Sequence, residues 1–144
     1  MVDAPAIVSA LDRAGYRLTG PRRALADLIA GQRAHFTAED LLAESRRRRL
    51  GVTRATVFRS LDVLAELGVV ERLDVPWRGH AFVACEPAHH HHVVCSSCGR
   101  STGVADPGIE RVAESIGRAT GYRVDTHRLE LFGLCPDCQR RERP

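Results

Sequence analysis

Apolar residues recur every three or four positions through the first half of the chain, and this spacing predicts four helices. The helices are expected to cover about residues 4–14, 19–31, 37–49 and 53–68. Gly15, Gly31 and Gly68 follow the last apolar positions of three of these runs, where helices commonly end. Thr37 and Thr53 precede two of the runs, so their hydroxyls are expected to accept hydrogen bonds from the free amides of the first turn.

Strand-like segments follow Gly68. Residues 69–75 and 80–85 have the composition of strands, and the Pro-Trp-Arg-Gly segment at 76–79 predicts the tip of a hairpin between them. Helices followed by a hairpin are the pattern of a winged helix, in which the helix from Thr53 would enter the major groove of DNA. The sequence therefore predicts an α+β protein whose N-terminal winged-helix DNA-binding domain covers residues 1–85.

Residues 86–144 are expected to form a small α/β dimerisation domain. Short strands are predicted at 93–95 and 101–104, then a helix that Asp106 caps and Gly121 ends, and finally an alternating strand over 122–132. So few elements rarely bury enough apolar surface to be stable alone. A bound metal and a second copy of the chain are therefore both expected as supports.

Two Cys-x-x-Cys pairs carry the clearest chemical signal. Tetrahedral zinc takes four thiolate or imidazole ligands, and a two-residue spacer lets both sulfurs of one turn reach the same ion. The pairs predict a closed structural zinc site of Cys95, Cys98, Cys135 and Cys138. Two disulfides or a redox-active pair are the alternatives, but charged residues interrupt the first eighteen positions and no secretory signal is evident.

Four consecutive histidines stand just before the first cysteine pair. In extended backbone, successive side chains face opposite sides, so His89 and His91 share one side while His90 and His92 share the other. One short run can therefore contribute to two separate metal sites. A surface tract that scavenges metal is the alternative interpretation.

Composition and charge narrow the function further. The chain has 144 residues, 44% of them apolar, a formal charge of +3 and no apolar stretch long enough to span a bilayer, so a cytoplasmic protein is expected. Arginines concentrate in the first half and metal-ligating residue types after Cys85, which indicates a DNA-binding half and a metal-binding half. The DNA-contacting candidates all lie in the first half: Arg17, Arg22, Thr53, Arg54, Thr56, Phe58 and Arg59. Phe58 is equally open to interpretation as a core residue.

Several of these motifs occur together in one known family. The Ala-Thr-Val-Phe-Arg segment ending at Arg59, the histidine run before Cys95, the helix carrying Glu110, and His127 ahead of the second cysteine pair resemble the ferric uptake regulator family. The resemblance covers nearly the whole chain and implies a metal-dependent bacterial repressor that binds AT-rich palindromic operators as a homodimer. The family usually has tyrosine where Phe58 stands, so an apolar contact to DNA carries over and a hydroxyl contact does not.

Within the family, the chain is most similar to the zinc uptake regulator branch. Iron-sensing members have a glutamate where Val83 stands, and Cys85 follows two residues later. A thiolate beside imidazoles favours zinc over iron(II) or manganese. The resemblance implies a sensory zinc site of Glu71, Cys85, His90 and His92. It also implies an additional metal site of His89, His91, Glu110 and His127.

Two ligand positions remain open. The zinc branch often has aspartate in the first wing strand, which makes Asp74 an alternative to Glu71. His35 matches a position that iron-type members use as a sensory ligand, so it is a candidate link to the DNA-binding half. In either case, metal bound by both halves is expected to select an arrangement that suits DNA binding.

Other functions are compatible with parts of this sequence. A sensor of iron, nickel or peroxide from the same family is the nearest alternative, although peroxide sensing needs oxygen-rich coordination and Cys85 argues against it. A zinc hydrolase would need three protein ligands and a water, which Cys85, His90 and His92 formally allow. The chain has no His-Glu-x-x-His motif, so it is not expected to be an enzyme.

Overall fold

The computed structural model describes residues 2–85 and 89–142. These residues form two compact units, which divide at the gap between them. The first unit is mainly helical and the second combines a small sheet with helices. No helix among the described residues is long and apolar enough to cross a membrane.

Four helices open the first unit: α1 (Ala4–Arg13), α2 (Gly20–Ala30), α3 (Ala38–Arg47) and α4 (Arg54–Glu66). The predicted caps are confirmed at two of them. The Thr37 hydroxyl accepts from the Asp40 amide at 3.1 Å, and the Asp40 carboxylate accepts from the Thr37 amide at 2.7 Å, which completes a capping box. The Thr53 hydroxyl accepts from the Thr56 amide at 3.2 Å. Local side-chain chemistry therefore sets where α3 and α4 begin.

A hairpin of β1 (Val70–Val75) and β2 (Gly79–Ala84) follows, with antiparallel pairing. Gly79 adopts a positive φ of 74° at the turn, where a side chain would be strained. Phe36, which precedes α3, exchanges backbone hydrogen bonds with Phe82 at 2.9 and 2.7 Å and extends the hairpin. The predicted helices and hairpin of a winged helix are confirmed.

One apolar core holds the first unit together. The helices bury one side each, and the hairpin adds Val70 and Phe82 to the same cluster. The largest fully buried side chains of the helices are Ile7, Leu25, Ile29, Leu41, Leu61 and Leu64. Burial of these apolar side chains is the main favourable contribution to the stability of this unit.

The second unit contains β3 (His91–Cys95), β4 (Ser101–Val104), α5 (Pro107–Thr120), β5 (Glu130–Gly133) and α6 (Pro136–Glu142). The strand order is β4-β3-β5, with β4 antiparallel and β5 parallel to β3. Asp106 caps α5 by accepting from the Gly108 amide at 2.6 Å, and Gly121 ends it with a φ of 76°. Both predictions for this helix are confirmed.

The strand predicted over residues 122–132 is mostly wrong. Only Glu130 to Gly133 form β5, because the parallel register begins at His92 opposite Glu130. β3 itself begins at His91, so the backbone of residues 122–128 has no neighbouring strand beside it among the described residues. The short helix α6 was not predicted, since its sequence has no run of apolar residues at helical spacing.

The second unit leaves large apolar side chains in solvent. α5 has no buried residue, and both Val112 and Ile116 are more than half exposed. Tyr122, Val124 and Leu131 are exposed as well. An uncovered apolar face of this kind is typical of a surface that another protein covers.

Candidate metal centres and DNA-binding surface

The four cysteines of the two Cys-x-x-Cys pairs converge in the second unit. The four sulfur atoms all lie within 4.8 Å of one another, and those of Cys98 and Cys135 are 3.8 Å apart. They belong to Cys95, Cys98, Cys135 and Cys138. The parallel pairing of β3 with β5 brings the two pairs together, since Cys95 is the last residue of β3 and Cys135 follows the end of β5 by two residues. All four cysteines carry free thiols. The structure therefore brings together the whole predicted tetrad.

The environment of these thiols suits a divalent cation. Backbone amides of Cys98 and Cys135 donate to the Cys95 sulfur and lower its pKa to about 6. At Cys138 a hydrogen bond with Ser97 acts to lower the pKa, but the neighbouring cysteines and burial outweigh it and raise that pKa to about 11. A negative charge on one sulfur disfavours a charge on its neighbours, and a bound cation would offset that repulsion. Four soft sulfur donors in one cluster are the set that tetrahedral zinc prefers, so the residues fit a zinc ion.

A second cluster in the same unit combines three imidazoles with a carboxylate. The Nε2 atom of His127 lies 3.1 Å from Nε2 of His89 and 3.3 Å from Nε2 of His91. The Oε1 atom of Glu110 lies 3.2 Å from Nε2 of His89 and 3.7 Å from Nε2 of His127. The four predicted residues of the additional site thus point at one another from β3, the segment just before β3, α5 and the segment before β5.

His91 is the buried member of this cluster. Burial lowers its pKa, and the positive charges that His89 and His127 would carry lower it further, whereas Glu110 acts in the opposite direction. A neutral imidazole is the form that binds metal ions. The nitrogen-rich donor set fits zinc, and it also fits other late transition metals.

The side chains of the histidine run alternate as predicted. The rings of His89 and His91 have centroids 4.8 Å apart, and those of His90 and His92 are 4.6 Å apart. Gly103 lies opposite His92 in the β3–β4 ladder, and a Cβ there would come within 3.2 Å of the His90 ring. The absence of a side chain at Gly103 therefore makes room for the His90 imidazole.

The other two predicted sensory ligands, Glu71 and Cys85, lie in the first unit. Glu71 is directly opposite Val83 in the β1–β2 ladder, and the Cys85 amide continues the ladder by donating to the Val69 carbonyl at 3.1 Å. Residues directly opposite each other in the ladder face the same side, and so do residues two apart along one strand. Cys85 comes two residues after Val83, which is opposite Glu71, so Cys85 shares a side with Glu71. Burial, together with the negative charge of Glu71, raises the pKa of Cys85 to about 11. A cation that displaces this proton would be held by sulfur and oxygen together.

Asp74, the alternative to Glu71, faces the other side of the hairpin. It is three residues from Glu71 on the same strand and opposite His80, whose Nδ1 lies 2.7 Å from the Asp74 carboxylate. Odd spacing along a strand reverses the side of the sheet. Asp74 therefore does not share a side with Cys85.

His35 is buried in the first unit, just before the bridge between Phe36 and Phe82. It lines a cavity of about 350 Å³ together with Asp40 and Arg78. Arg78 donates to both carboxylate oxygens of Asp40, at 2.7 and 2.6 Å, so the carboxylate that completes the capping box of α3 also anchors the hairpin tip. Sequence patterns did not reveal this second role of Asp40, because its partner is 38 residues away.

The side of α4 opposite its buried residues presents Arg54, Phe58 and Arg59, all exposed. Phe58 is 39% exposed, so it is not a core residue. Nη1 of Arg54 donates to Glu39 at 2.8 Å, and the guanidinium lies over the Phe58 ring, 4.8 Å from its centroid. Glu39 was not among the candidates predicted from the sequence, because its partner Arg54 lies on another helix.

The remaining DNA-contacting candidates divide into two groups. Thr53 and Thr56 lie at the start of α4, with their hydroxyls 2.9 Å apart, and Thr53 is exposed although it also caps the helix. Arg17 lies between α1 and α2 and Arg22 in the first turn of α2, where Nη1 of Arg22 donates to the Arg17 carbonyl at 2.5 Å. The Arg22 guanidinium also lies 5.6 Å from the centroid of Tyr16.

The chain is similar to known proteins over most of its length. The model of the Ferric uptake regulator family matches residues 13–132. The peroxide operon regulator of Bacillus subtilis is 30% identical over 132 residues, which are 92% of this chain and 90% of that protein.

Two solved structures with the same fold match nearly the whole chain. The structure of holo XcZur is 30% identical, with a TM-score of 0.72 and coverage of 95% of this chain and 96% of that one. A zinc uptake regulator complexed with zinc and DNA superimposes with a TM-score of 0.74, at 24% identity and with 99% of each chain covered. At that identity the second likeness shows the fold alone.

Proposed function

The chain belongs to the ferric uptake regulator family, and from that premise we propose that it is a zinc-responsive repressor that binds palindromic AT-rich operators as a homodimer in the cytoplasm. Members of the family are metal-responsive transcriptional regulators and not enzymes. The metal, the operator and the oligomeric state are the parts that the proposal adds. Its relatives include a ferric uptake regulation protein and a peroxide operon regulator, so family membership alone does not identify the metal that is sensed.

The observation that carries the choice of zinc is the donor pair on the β1–β2 hairpin. Cys85 shares a side with Glu71, while the position opposite Glu71 is the apolar Val83. A thiolate combined with imidazoles favours zinc over the harder ions iron(II) and manganese, which prefer oxygen. The proposed sensory ligands are therefore Glu71, Cys85, His90 and His92. The likeness to holo XcZur supports the same assignment.

The two clusters of the second unit have different proposed roles. The cysteine tetrad has four protein ligands, so it is proposed as a structural zinc site with no position left for chemistry. The cluster of His89, His91, Glu110 and His127 is proposed as an additional metal site. When bound, zinc would cross-link the side chains of each cluster.

DNA binding is proposed for the exposed side of α4. Its first turns carry Thr53, Arg54 and Thr56, and Phe58 and Arg59 follow on the same exposed side. Arginine can donate to guanine edges, and an exposed ring can contact thymine methyls. Arg17 and Arg22 are proposed to contact the phosphate backbone, which would add affinity without sequence preference.

A homodimer is proposed through the second unit. α5 turns Val112 and Ile116 to solvent, and Tyr122 is 78% exposed. A second copy covering this face would remove the exposed apolar surface from water. Two recognition helices related by a two-fold axis also match a palindromic operator.

The test is operator binding under buffered metal, followed by fluorescence anisotropy, with the cysteine tetrad kept loaded. Zinc, iron(II), manganese and nickel are titrated separately on the wild type and on Cys85→Ser. We expect zinc alone to switch binding on and Cys85→Ser to abolish the response. Equal activation by another metal, with Cys85 dispensable, would leave the family assignment standing and overturn the metal assignment.

The carboxylate ligand has its own matched pair of variants. Glu71→Gln and Asp74→Asn make the same change of charge on the same strand, three residues apart on opposite sides of the hairpin. We expect Glu71→Gln to raise the zinc concentration needed for half-maximal DNA binding, and Asp74→Asn to leave it unchanged. The reverse result would assign the ligand to Asp74.

A further inference from the structure

Helix energetics do not explain why an arginine occupies the first position of α4. The N-terminus of a helix carries a partial positive charge, so a cation there is unfavourable. α4 has no acidic residue of its own in the first turn. The compensating charge comes from Glu39 in the first turn of α3, whose Oε1 accepts from Nη1 of Arg54 at 2.8 Å. The pair therefore links two neighbouring helix starts.

This ion pair is too exposed to matter much for folding. The side chains of Arg54 and Glu39 are 66% and 60% exposed, and exposed pairs contribute little stability. A contact that is weak for stability and lies on the proposed DNA-binding side is better explained by recognition.

The guanidinium of Arg54 is restrained in a second direction. It lies over the ring of Phe58, one helical turn further along the same side of α4, at 4.8 Å from the centroid. Glu39 contacts one nitrogen, Nη1, while the ring contacts the face of the guanidinium. Arginine has five N–H donors in a planar fork, so a guanidinium held in this way still has donors to present.

We propose that Glu39 is a positioning residue for DNA sequence recognition, which holds Arg54 over Phe58 so that both side chains meet adjacent bases as one rigid pair. The chemistry of the pair matches a thymine beside a guanine. The ring contacts the thymine methyl, and the guanidinium donates to O6 and N7 of guanine. The inference rests on the proposed function, in which α4 enters the major groove of operator DNA.

The role predicts an unusual combination of effects. Without Glu39 the guanidinium is free to turn to the nearest phosphate, a contact that carries no sequence information. Removing a carboxylate close to DNA also removes a repulsion from the phosphates. Loss of Glu39 should therefore weaken discrimination between sequences while binding to unrelated DNA becomes stronger.

The experiment measures binding of full-length, metal-loaded protein to an operator panel in which each base pair of the half-site is replaced in turn, together with an unrelated duplex. The variants are Glu39→Ala, Glu39→Gln, Arg54→Ala and the double variant with alanine at both positions. Asp62→Ala is the matched charge control, since Asp62 lies on α4 and forms an exposed ion pair with Arg72.

We expect Glu39→Ala to reduce discrimination by about three- to tenfold, at the same one or two base pairs that Arg54→Ala affects. The double variant should lose no more discrimination there than Arg54→Ala alone, because the two residues act through one contact. Glu39→Gln removes the same charge but keeps an acceptor oxygen, so it should retain part of the discrimination. Asp62→Ala should change the affinity for all sequences by one common factor.

Two results would overturn the inference while the proposed function stands. In one, both Glu39 variants change affinity by a common factor for every sequence, as Asp62→Ala does, which is a pure charge effect. In the other, the losses from Glu39→Ala and Arg54→Ala add up in the double variant. A wild type that does not distinguish any operator from unrelated DNA would instead refute the proposed function, and the inference would fall with it.

Discussion

The cysteine tetrad leads to a sharp prediction about stability, because the second unit has little else to hold one copy together. Among the described residues of this unit, the buried apolar side chains are Val94, Cys95 and Cys138, and two of the three are proposed zinc ligands. Replacing Cys138 by serine removes a soft ligand from the tetrad and the only buried side chain of α6. We expect this single change to unfold the second unit while the first stays folded.

The expected loss of stability is estimated by comparing the free energy that the zinc site contributes with that of the buried apolar side chains. Burying one side chain such as valine contributes about 1.5–3 kcal/mol, so the three together contribute less than about 10 kcal/mol. A structural zinc site contributes about 10–16 kcal/mol near neutral pH. Losing the site therefore removes more free energy than the buried apolar side chains supply. The first unit has its own core of helix and hairpin residues and does not depend on the tetrad.

Hydrogen exchange followed by mass spectrometry measures both units in one experiment. Under reducing conditions, peptides from residues 89–142 of Cys138→Ser should exchange rapidly, as should those of wild type after a strong chelator removes its zinc. Peptides from residues 2–85 should keep their protection. Cys85→Ser makes the same thiol-to-hydroxyl change outside the tetrad, and the second unit of this variant should stay protected.

Protected peptides from β3 and α6 in the zinc-free protein would refute this reasoning. The same holds if both units lose protection together, since the core of the first unit would then depend on the tetrad.

Three other outcomes are expected. Replacing Ile116, which is 54% exposed on α5, by glutamate should weaken the homodimer about tenfold or more, because a charge would be buried in the interface, and sedimentation measures this. Gly103→Ala should raise the zinc concentration needed for half-maximal DNA binding, since its Cβ would press on the His90 imidazole. Gly133→Ala is the control and should leave that concentration unchanged, because a Cβ there meets nothing within 4 Å. Asp40→Ala should lower the free energy of unfolding by about 1–2 kcal/mol, because a hydrogen bond of the α3 capping box and the ion pair with Arg78 are both lost. Arg78→Ala loses only the ion pair and should lower it by less than about 1 kcal/mol. Equal losses in denaturant titrations would contradict the double role of Asp40.

Helix starts and the cysteine pairs could be predicted because their signals are local. Thr37, Thr53 and Asp106 each accept from an amide two or three residues ahead, so a few letters of sequence contain both partners of the bond. The Cys-x-x-Cys spacing likewise sets how two sulfurs lie in one turn. The alternation of the histidine run depends only on extended backbone, and the observed ring pairs agree with it.

Strand pairing could not be predicted in the same way. Residues 122–128 alternate like a strand, but a strand also needs a neighbour, and β3 begins too late in the chain to supply one. The choice between Glu71 and Asp74 is of the same kind. Both lie on β1, and only the register with β2 shows which of them shares a side with Cys85.

The sequence by itself determined the helix starts, the winged-helix order of elements, the two cysteine pairs and the alternation of the histidines, because each depends on residues a few positions apart. Only the tertiary structure decided which distant side chains meet. Glu39 reaches Arg54 from another helix, Asp40 reaches Arg78 across 38 residues, and His127 reaches His91 through the packing of the second unit. Contacts of this kind form only when the chain folds back on itself, and no local pattern of residues specifies them.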